Sequence, residues 1–384
     1  TSLFFRYCDN SVIAVTGTRG KTTTTLWIAE LLKKKYTKVA PSGNTPDNAF
    51  LKEFDRVNGK NIPVVAEMSS WQLEHLPSSG RSPHVAVITN LYPDHLNRYN
   101  GIKDYANAKA NIFTGQNDGD FLILNYDNEW TPHFLKKKPK ALTFFISKKP
   151  LPKSLNGIFV RGETLTFRFD DMEQKLFSVK KFVVERGAHN LENLMNAVLA
   201  VKLFDSQVVV TERDVLRLPT PRMRQEVVYQ KGRLTVVNDS CATSPDGTIA
   251  AIARFSKLGG STSKLILIAG GTDKELEFDE LAKVIKKHTP FKGPNAQLIL
   301  LEGSATTRII AKLQNLSKLN FDKLVLKNLD SCAVEAFKMA KDLQKKSKGK
   351  VTILFSPGAA SFEKFLHEFD RGEQFNKLVK NYAK

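Results

Sequence analysis

The hydrophobic positions of the chain fall into runs of two kinds. Residues 12–15, 62–66, 85–89 and 121–124 are short stretches of mostly apolar residues, as in strands covered on both faces, while residues 22–32 and 104–113 carry helical spacing. Strand and helix patterns in alternation predict a parallel α/β sheet. From 142 to 184 the pattern changes to alternating aromatic and polar positions, as in Thr166-Phe167-Arg168-Phe169 and at Phe182-Val183-Val184, without a long helix. This predicts a small antiparallel appendage. A helix over 190–204 follows, and then Arg217-Leu218-Pro219-Thr220-Pro221 interrupts helix and strand alike, which predicts a linker. Beyond it, strand-like 226–229 and 234–237 precede repeated strand–helix units whose strands are expected at 265–269, 298–301, 324–326 and 351–355. That is a second, doubly wound α/β domain. The expected domains are residues 1–218 and 219–384.

A length of 384 residues suits two or three domains with their own cores. Hydrophobic residues at 41% and charged residues at 25% exclude wholesale disorder and fibrous repeats. No apolar stretch approaches the roughly 18 residues of a membrane span, and the first ten residues do not read as a signal peptide, so a cytoplasmic protein without a membrane partner is expected. Cys8, Cys241 and Cys332 are too few and too far apart for a disulfide framework or a metal-ligand pattern. Lysine and arginine number 58 against 39 aspartates and glutamates, a net charge of +19. Such a charge suits nucleic acid or a solvated surface that attracts small anions. The excess is scattered over short runs at 33–35, 136–138 and 345–350 without interleaved aromatics, so no nucleic-acid partner is expected.

The sharpest local signal is Val12-Ile13-Ala14-Val15-Thr16-Gly17-Thr18-Arg19-Gly20-Lys21-Thr22-Thr23, a strand that enters a glycine-bearing turn and then a helix. Gly17 and Gly20 let backbone amides approach phosphate oxygens, Lys21 can reach the outer phosphates, and the Thr22 hydroxyl can ligate Mg²⁺. The general phosphate-loop pattern asks for a glycine at position 15, where this chain has valine. Glu67 ends the strand at 62–66 and is followed by Met68-Ser69-Ser70; it is a metal carboxylate or part of an ordinary helix-cap region. Asp94 and His95 close the next strand as metal ligands or plain loop residues, and Lys109 reads by spacing alone as a surface lysine. Asn190 and Asn193 share a helix face, with a helix cap as the alternative for Asn190. Three further polar strand ends, Asn238-Asp239-Ser240, Gly270-Gly271-Thr272-Asp273-Lys274 and Ser356-Pro357-Gly358-Ala359-Ala360-Ser361, suggest a shared crevice in the second domain.

In this order, and with Trp71-Gln72-Leu73-Glu74, Arg98-Tyr99 and Arg371-Gly372, these segments resemble the Mur ligases over nearly the whole chain, above all the branch that adds D-glutamate to UDP-N-acetylmuramoyl-L-alanine. The resemblance implies an α/β fold with a P-loop-type parallel sheet in a central ATPase domain bearing a small antiparallel appendage, plus a C-terminal Rossmann-like α/β domain. It implies an ATP-dependent ligase that converts a carboxylate to an acyl phosphate, which an amino acid's amine attacks to form an amide. Gly17, Thr18, Gly20, Lys21, Thr22, Thr23 and Asn44 would then surround ATP. Thr22 and Glu67 would hold one Mg²⁺, and His95 with a carbamylated Lys109 would serve a second; Lys21, His95 and Lys109 would be catalytic. Asn190, Asn193, Arg224 and Asp239 match positions that contact the nucleotide, and Lys274, Ser361 and Phe362 match those that hold D-glutamate. The chain departs from the family at Cys241, where some members have lysine, at Thr45-Pro46, where Ile-Gly is more usual, and at Glu368, which can be aromatic. The match begins near Leu3-Phe4-Phe5, downstream of the family's UDP-binding domain, which the chain is expected to lack. A monomer is expected, with motion between its domains. A ligase for another acceptor, similar to folylpolyglutamate synthase, and a nucleotide-binding fragment without turnover are the alternative readings.

Overall fold

The apolar run at 12–15 becomes an inner strand of a nine-stranded sheet. The computed structural model describes residues 1–43, 49–94, 98–256, 262–288, 297–316 and 324–383, so Asn44 and His95 lie outside the described residues. The chain divides into two units, Thr1–Pro219 and Thr220–Lys384.

The first unit runs α1 (Ser2–Tyr7), β1 (Val12–Thr16), α2 (Lys21–Leu32), β2 (Ala40–Gly43), α3 (Phe50–Val57), β3 (Val64–Glu67), α4 (Ser70–Glu74), β4 (Val85–Ile88), α5 (Ile102–Ala110), β5 (Phe121–Asn125), α6 (Thr131–Leu135), β6 (Leu142–Ser147), β7 (Gly157–Arg161), β8 (Thr164–Phe169), β9 (Met172–Ser178), α7 (Lys180–Arg186), α8 (Asn190–Phe204) and α9 (Glu212–Leu216). The strand order is β2-β3-β1-β4-β5-β6-β7-β8-β9. Pairing is parallel from β2 through β7 and antiparallel only across β7-β8-β9. The appendage is therefore a continuation of the main sheet, and β6, read as part of it, belongs to the parallel portion.

Alternate residues of β1 feed two cores, because successive side chains of a strand point to opposite faces. Val12 and Ala14 join Phe4, Phe50 and Tyr105 on one side, and Ile13 and Val15 join Trp27, Leu194 and Val198 on the other. The segment Phe182-Val183-Val184 is helical, in α7, rather than strand. A three-residue apolar run has no period of its own. Phe182 is buried edge-on against Trp27, with ring centroids 5.7 Å apart, and this contact settles the conformation.

The second unit runs β10 (Glu226–Lys231), β11 (Leu234–Asn238), α10 (Pro245–Phe255), β12 (Lys264–Ala269), α11 (Asp279–His288), β13 (Leu298–Leu301), α12 (Ser304–Leu316), β14 (Val325–Leu326), α13 (Leu329–Lys346), β15 (Val351–Phe355) and α14 (Glu368–Tyr382). Its sheet has the order β10-β11-β15-β12-β13-β14, parallel except for the β10-β11 hairpin. The loops after β11, β12 and β15, neighbours in this sheet, leave from its carboxyl edge, the usual ligand face of such folds. Among the described residues no helix is long and apolar enough to cross a membrane.

Candidate active site

At the carboxyl end of β1 the chain turns through Gly17 and Gly20, whose φ values of +145° and +81° favour glycine. Both glycines are also pressed by neighbours: a Cβ on Gly17 would collide with Thr89 Oγ1, and one on Gly20 with Asn193 Oδ1. Between them the turn is held to the segment after β4. The Thr18 amide donates to Asn90 O (3.0 Å), the Arg19 amide to Asn90 Oδ1 (2.9 Å), and Thr89 Oγ1 to Arg19 O (2.7 Å). No side chain caps α2, and its bonding begins with the Thr24 amide donating to Gly20 O (2.9 Å). The amides of Lys21, Thr22 and Thr23 therefore have no acceptor within the helix and point, with its positive end, out of the turn. Lys21 Nζ donates to Gly17 O and Thr18 O, both at 3.1 Å, and so covers the same turn.

Lys109 is not the surface lysine that its spacing suggests. Tyr105, Ala106, Ala108, Lys109 and Ala110 of α5 are all buried, and Lys109 is 1% exposed. Its Nζ donates to Gly17 O (2.9 Å) and Thr16 Oγ1 (3.5 Å) and lies 4.5 Å from the centre of the Tyr105 ring. Burial, reinforced by the charge of Lys21, pushes its ammonium well below the usual lysine range, against the opposing pull of Asp94 and Glu67. Burial thus moves the balance toward the neutral amine.

Glu67 ends β3, nine-tenths buried. The helix-cap alternative belongs to its neighbours: Ser69 Oγ accepts from the Gln72 amide (3.3 Å) and Gln72 Oε1 from the Ser69 amide (2.9 Å), closing a capping box on α4. Among the described residues no donor engages the Glu67 carboxylate or the Thr22 hydroxyl. Hydroxyl and carboxylate oxygens suit Mg²⁺, and no cluster of three histidines, cysteines or carboxylates competes among the described residues.

Asn190 is not a cap either. It is the first residue of α8, and its Nδ2 donates back to Arg186 O (2.8 Å) while its Oδ1 accepts from Asn193 Nδ2 (3.0 Å). Asn193 in turn meets Gly20 and lies 3.5 Å from Thr24 Oγ1. The first unit thus gathers Gly17, Gly20, Lys21, Thr22, Glu67, Lys109 and Asn193 around one strand-to-helix turn.

In the second unit Asp239 is buried after β11, with Oδ1 accepting from the Gln225 amide (2.9 Å) and Oδ2 from Ser356 Oγ (2.7 Å). Burial pushes its carboxyl up to about 7, against those two hydrogen bonds and the charges of Arg224 and Arg254. Arg224 itself is half-buried. The loops bearing Lys274 and Ser361 are joined by a two-bond bridge in which the Thr272 and Ala360 amides each donate to the other's carbonyl at 3.0 Å. Ser361 is buried, its Oγ without a partner among the described residues, while Phe362 beside it is exposed. Lys274 is half-exposed and its ammonium meets no partner among the described residues.

Arg371 is a residue to which the sequence assigned no role. Fully buried in α14, it donates to Ser240 Oγ (3.1 Å) and Ser240 O (2.7 Å), and to Ala359 O (3.1 Å) and Ala360 O (2.8 Å). A single arginine among the many charged residues of α14 carries no mark of burial.

The model of the Mur ligase middle domain matches residues 15–201. The UDP-N-acetylmuramoylalanine–D-glutamate ligase of Roseiflexus sp. strain RS-1 is 32% identical over 389 residues, an alignment covering 100% of this chain and 78% of that protein. The enzyme of the same name from Borreliella afzelii strain PKo is 32% identical, covering 98% and 76%. Among solved structures, folylpolyglutamate synthase of Mycobacterium tuberculosis, complexed with ADP and AMPPCP, superposes with a TM-score of 0.66 at 14% identity, covering 99% of this chain and 92% of that one. MurF from Acinetobacter baumannii gives 0.64 at 15% identity, covering 99% and 78%. At these identities the structural likeness shows the fold.

Proposed function

The chain belongs to the Mur ligase family of ATP-dependent acid–amino-acid ligases, and on that premise we propose that it joins D-glutamate to UDP-N-acetylmuramoyl-L-alanine in peptidoglycan precursor synthesis. The observation that carries the reading is the gathering of uncapped α2 amides, Lys21, Thr22, Glu67 and a buried, destabilised Lys109 at one sheet edge, in a chain similar along its length to ligases of that name. The acceptor carboxylate takes the γ-phosphoryl group, ADP leaves, and the amine of D-glutamate attacks the acyl carbon with release of phosphate.

The α2 amides, Gly17, Thr18, Gly20 and Thr23 bind the phosphates, and Lys21 exchanges its two carbonyl partners for phosphate oxygens. Asn190 and Asn193 in the first unit, with Asn44, Arg224 and Asp239, serve the nucleotide. Because both oxygens of Asp239 are engaged by Gln225 and Ser356, its part is to order the turn that carries Arg224. Family members work with ATP and Mg²⁺, and bound Mg²⁺ neutralises the phosphates as the phosphoryl group moves. Thr22 and Glu67 would hold one ion, and Lys109 and His95 would serve a second. An amine shifted toward its neutral form suits addition to carbon dioxide: an N–C bond forms, a proton leaves the nitrogen, and a carbamate anion results. In the second unit Lys274, Ser361 and Phe362 hold the two carboxylates and the carbon chain of D-glutamate. The domain over residues 1–218 is assigned chiefly to ATP, and the one over 219–384 to the amino acid.

The test is phosphate release from ATP with Mg²⁺, bicarbonate, UDP-N-acetylmuramoyl-L-alanine and D-glutamate, each omitted in turn. Release should require both acceptors. Release indifferent to D-glutamate, or none, overturns the reading and leaves a ligase for another acceptor or a nucleotide-binding fragment.

A further inference from the structure

The loop carrying Ser361 is held at three depths, the outer two of which join it to the loop carrying Lys274. The deepest tie is Arg371, buried beneath Ala359 and Ala360. The next is the Thr272–Ala360 bridge. The outermost is Glu363, which is exposed to solvent. Its amide donates to Thr272 Oγ1 (3.0 Å), its Oε2 accepts from the Ser304 amide (3.0 Å) at the start of α12, and its Oε1 accepts from Ser304 Oγ. Ser304 Oγ also accepts from the Asp273 amide (2.8 Å), so one serine fastens both loops. Gly303 permits the approach, since a Cβ there would collide with Gly271 O and stand 2.9 Å from Glu363 Oε2.

We propose that Glu363 is a positioning residue for the incoming amino acid: by fastening the turn after Ser361 to α12 and Thr272, it holds the Ser361 hydroxyl and the Lys274 ammonium in the arrangement that accepts a dicarboxylate. The proposal rests on the D-glutamate reading. Two features point to a ligand at these loops: a buried Ser361 Oγ without a partner, and a Lys274 ammonium with none among the described residues. The Asp273 carboxylate, which would otherwise compete for Lys274, is drawn off by Arg308 at 2.7 Å. Glu363 also fills the anion position at the N-terminus of α12, so a substrate carboxylate is left to Lys274 and Ser361. Removing Glu363 leaves the two deeper ties in place, and its loss acts on loop order rather than on folding.

The test is steady-state kinetics of the full chain bearing Glu363→Ala, Ser304→Ala or Ser304→Thr. Glu363→Ala and Ser304→Ala should each raise KM for D-glutamate about five- to tenfold, with KM for ATP and kcat within twofold of wild type. The double variant Glu363→Ala/Ser304→Ala should be no worse than the poorer single one, since both remove the same tie. Ser304→Thr keeps the hydroxyl and should stay near wild type. An unchanged KM for D-glutamate in both single variants, or equal shifts in KM for ATP, KM for D-glutamate and kcat, overturns the proposal while the D-glutamate reading stands. A wild-type chain without D-glutamate-dependent turnover overturns that reading and this proposal with it. Should Glu363→Ala not fold, Ser304→Ala carries the same decision.

Discussion

Lys109 in the first unit and Arg371 in the second are both buried basic side chains, and the two are treated in opposite ways. Among the described residues Arg371 has no ion-pair partner within hydrogen-bond reach, yet its guanidinium is met by the carbonyls of Ser240, Ala359 and Ala360 and by Ser240 Oγ. Burial lowers it only to about 10, and it stays charged at neutral pH. Lys109 is almost as deeply buried but has one carbonyl and one distant hydroxyl, beside a second lysine. A buried charge is costly unless its donors are satisfied, so the arrangement around Arg371 is a stable tie and that around Lys109 leaves an amine poorly satisfied as a cation. The difference separates a residue that builds the second unit from one for which a part in the reaction is proposed.

The largest way to break this contrast is Lys109→Ala. If Lys109 acts through a carbamate, turnover should fall about a thousandfold or more, roughly 4 kcal/mol in barrier, while the melting temperature of the chain stays the same or rises because an ill-satisfied amine is gone. Acetate added to the variant should restore part of the rate by replacing the missing anion. Full turnover without acetate, or no rescue with it, removes the carbamate role. The complementary change is Arg371→Met, which keeps the bulk and takes the donor from the carbonyls of Ser240 and Ala359, while Ala360 O keeps the Thr272 amide. Urea unfolding followed in the second unit should show a loss of about 3 kcal/mol. A variant as stable as wild type would mean that the guanidinium is no tie.

The glycine-bearing turn into α2 was legible because its signal is local: two glycines, a lysine and a threonine lie within six residues, between a strand and a helix. Most parallel strands were legible for the same reason, their burial being written in consecutive apolar residues. The strand β2 was not, since it is an edge strand containing Pro41 and lacks an apolar run. Residues whose roles come from distant partners were equally hidden. Lys109 is buried by α5 lying over a turn 92 residues earlier, and Arg371 reaches a carbonyl 131 residues away. Ser304 and Glu363, 59 residues apart, form a pair that neither neighbourhood announces. The family resemblance supplied a role for Lys109, but its burial and its two weak partners appear only in three dimensions.

The smallest expected effect sharpens the contrast within the second unit itself, where Asp239 is a buried acid placed much as Lys109 is a buried base. Its carboxyl rises from an ordinary 3.8 to about 7, chiefly through burial. The folded state therefore binds the proton more tightly than the unfolded one, and its contribution to stability is full below about pH 4 and is lost as pH rises through about 7. Between pH 6 and 8 this group alone should lower the stability of the second unit by about 1.4 kcal/mol. Asp239→Asn removes the titration, while its amide can still accept from the Gln225 amide and donate to Ser356 Oγ. Urea titrations of both proteins at pH 6, 7 and 8 should give a wild-type slope that the variant lacks. Parallel slopes would show that Asp239 stays ionised through this range, held by Ser356, the Gln225 amide and Arg224, and the resemblance to Lys109 would then fail: the second unit would satisfy its buried anion as fully as it satisfies Arg371.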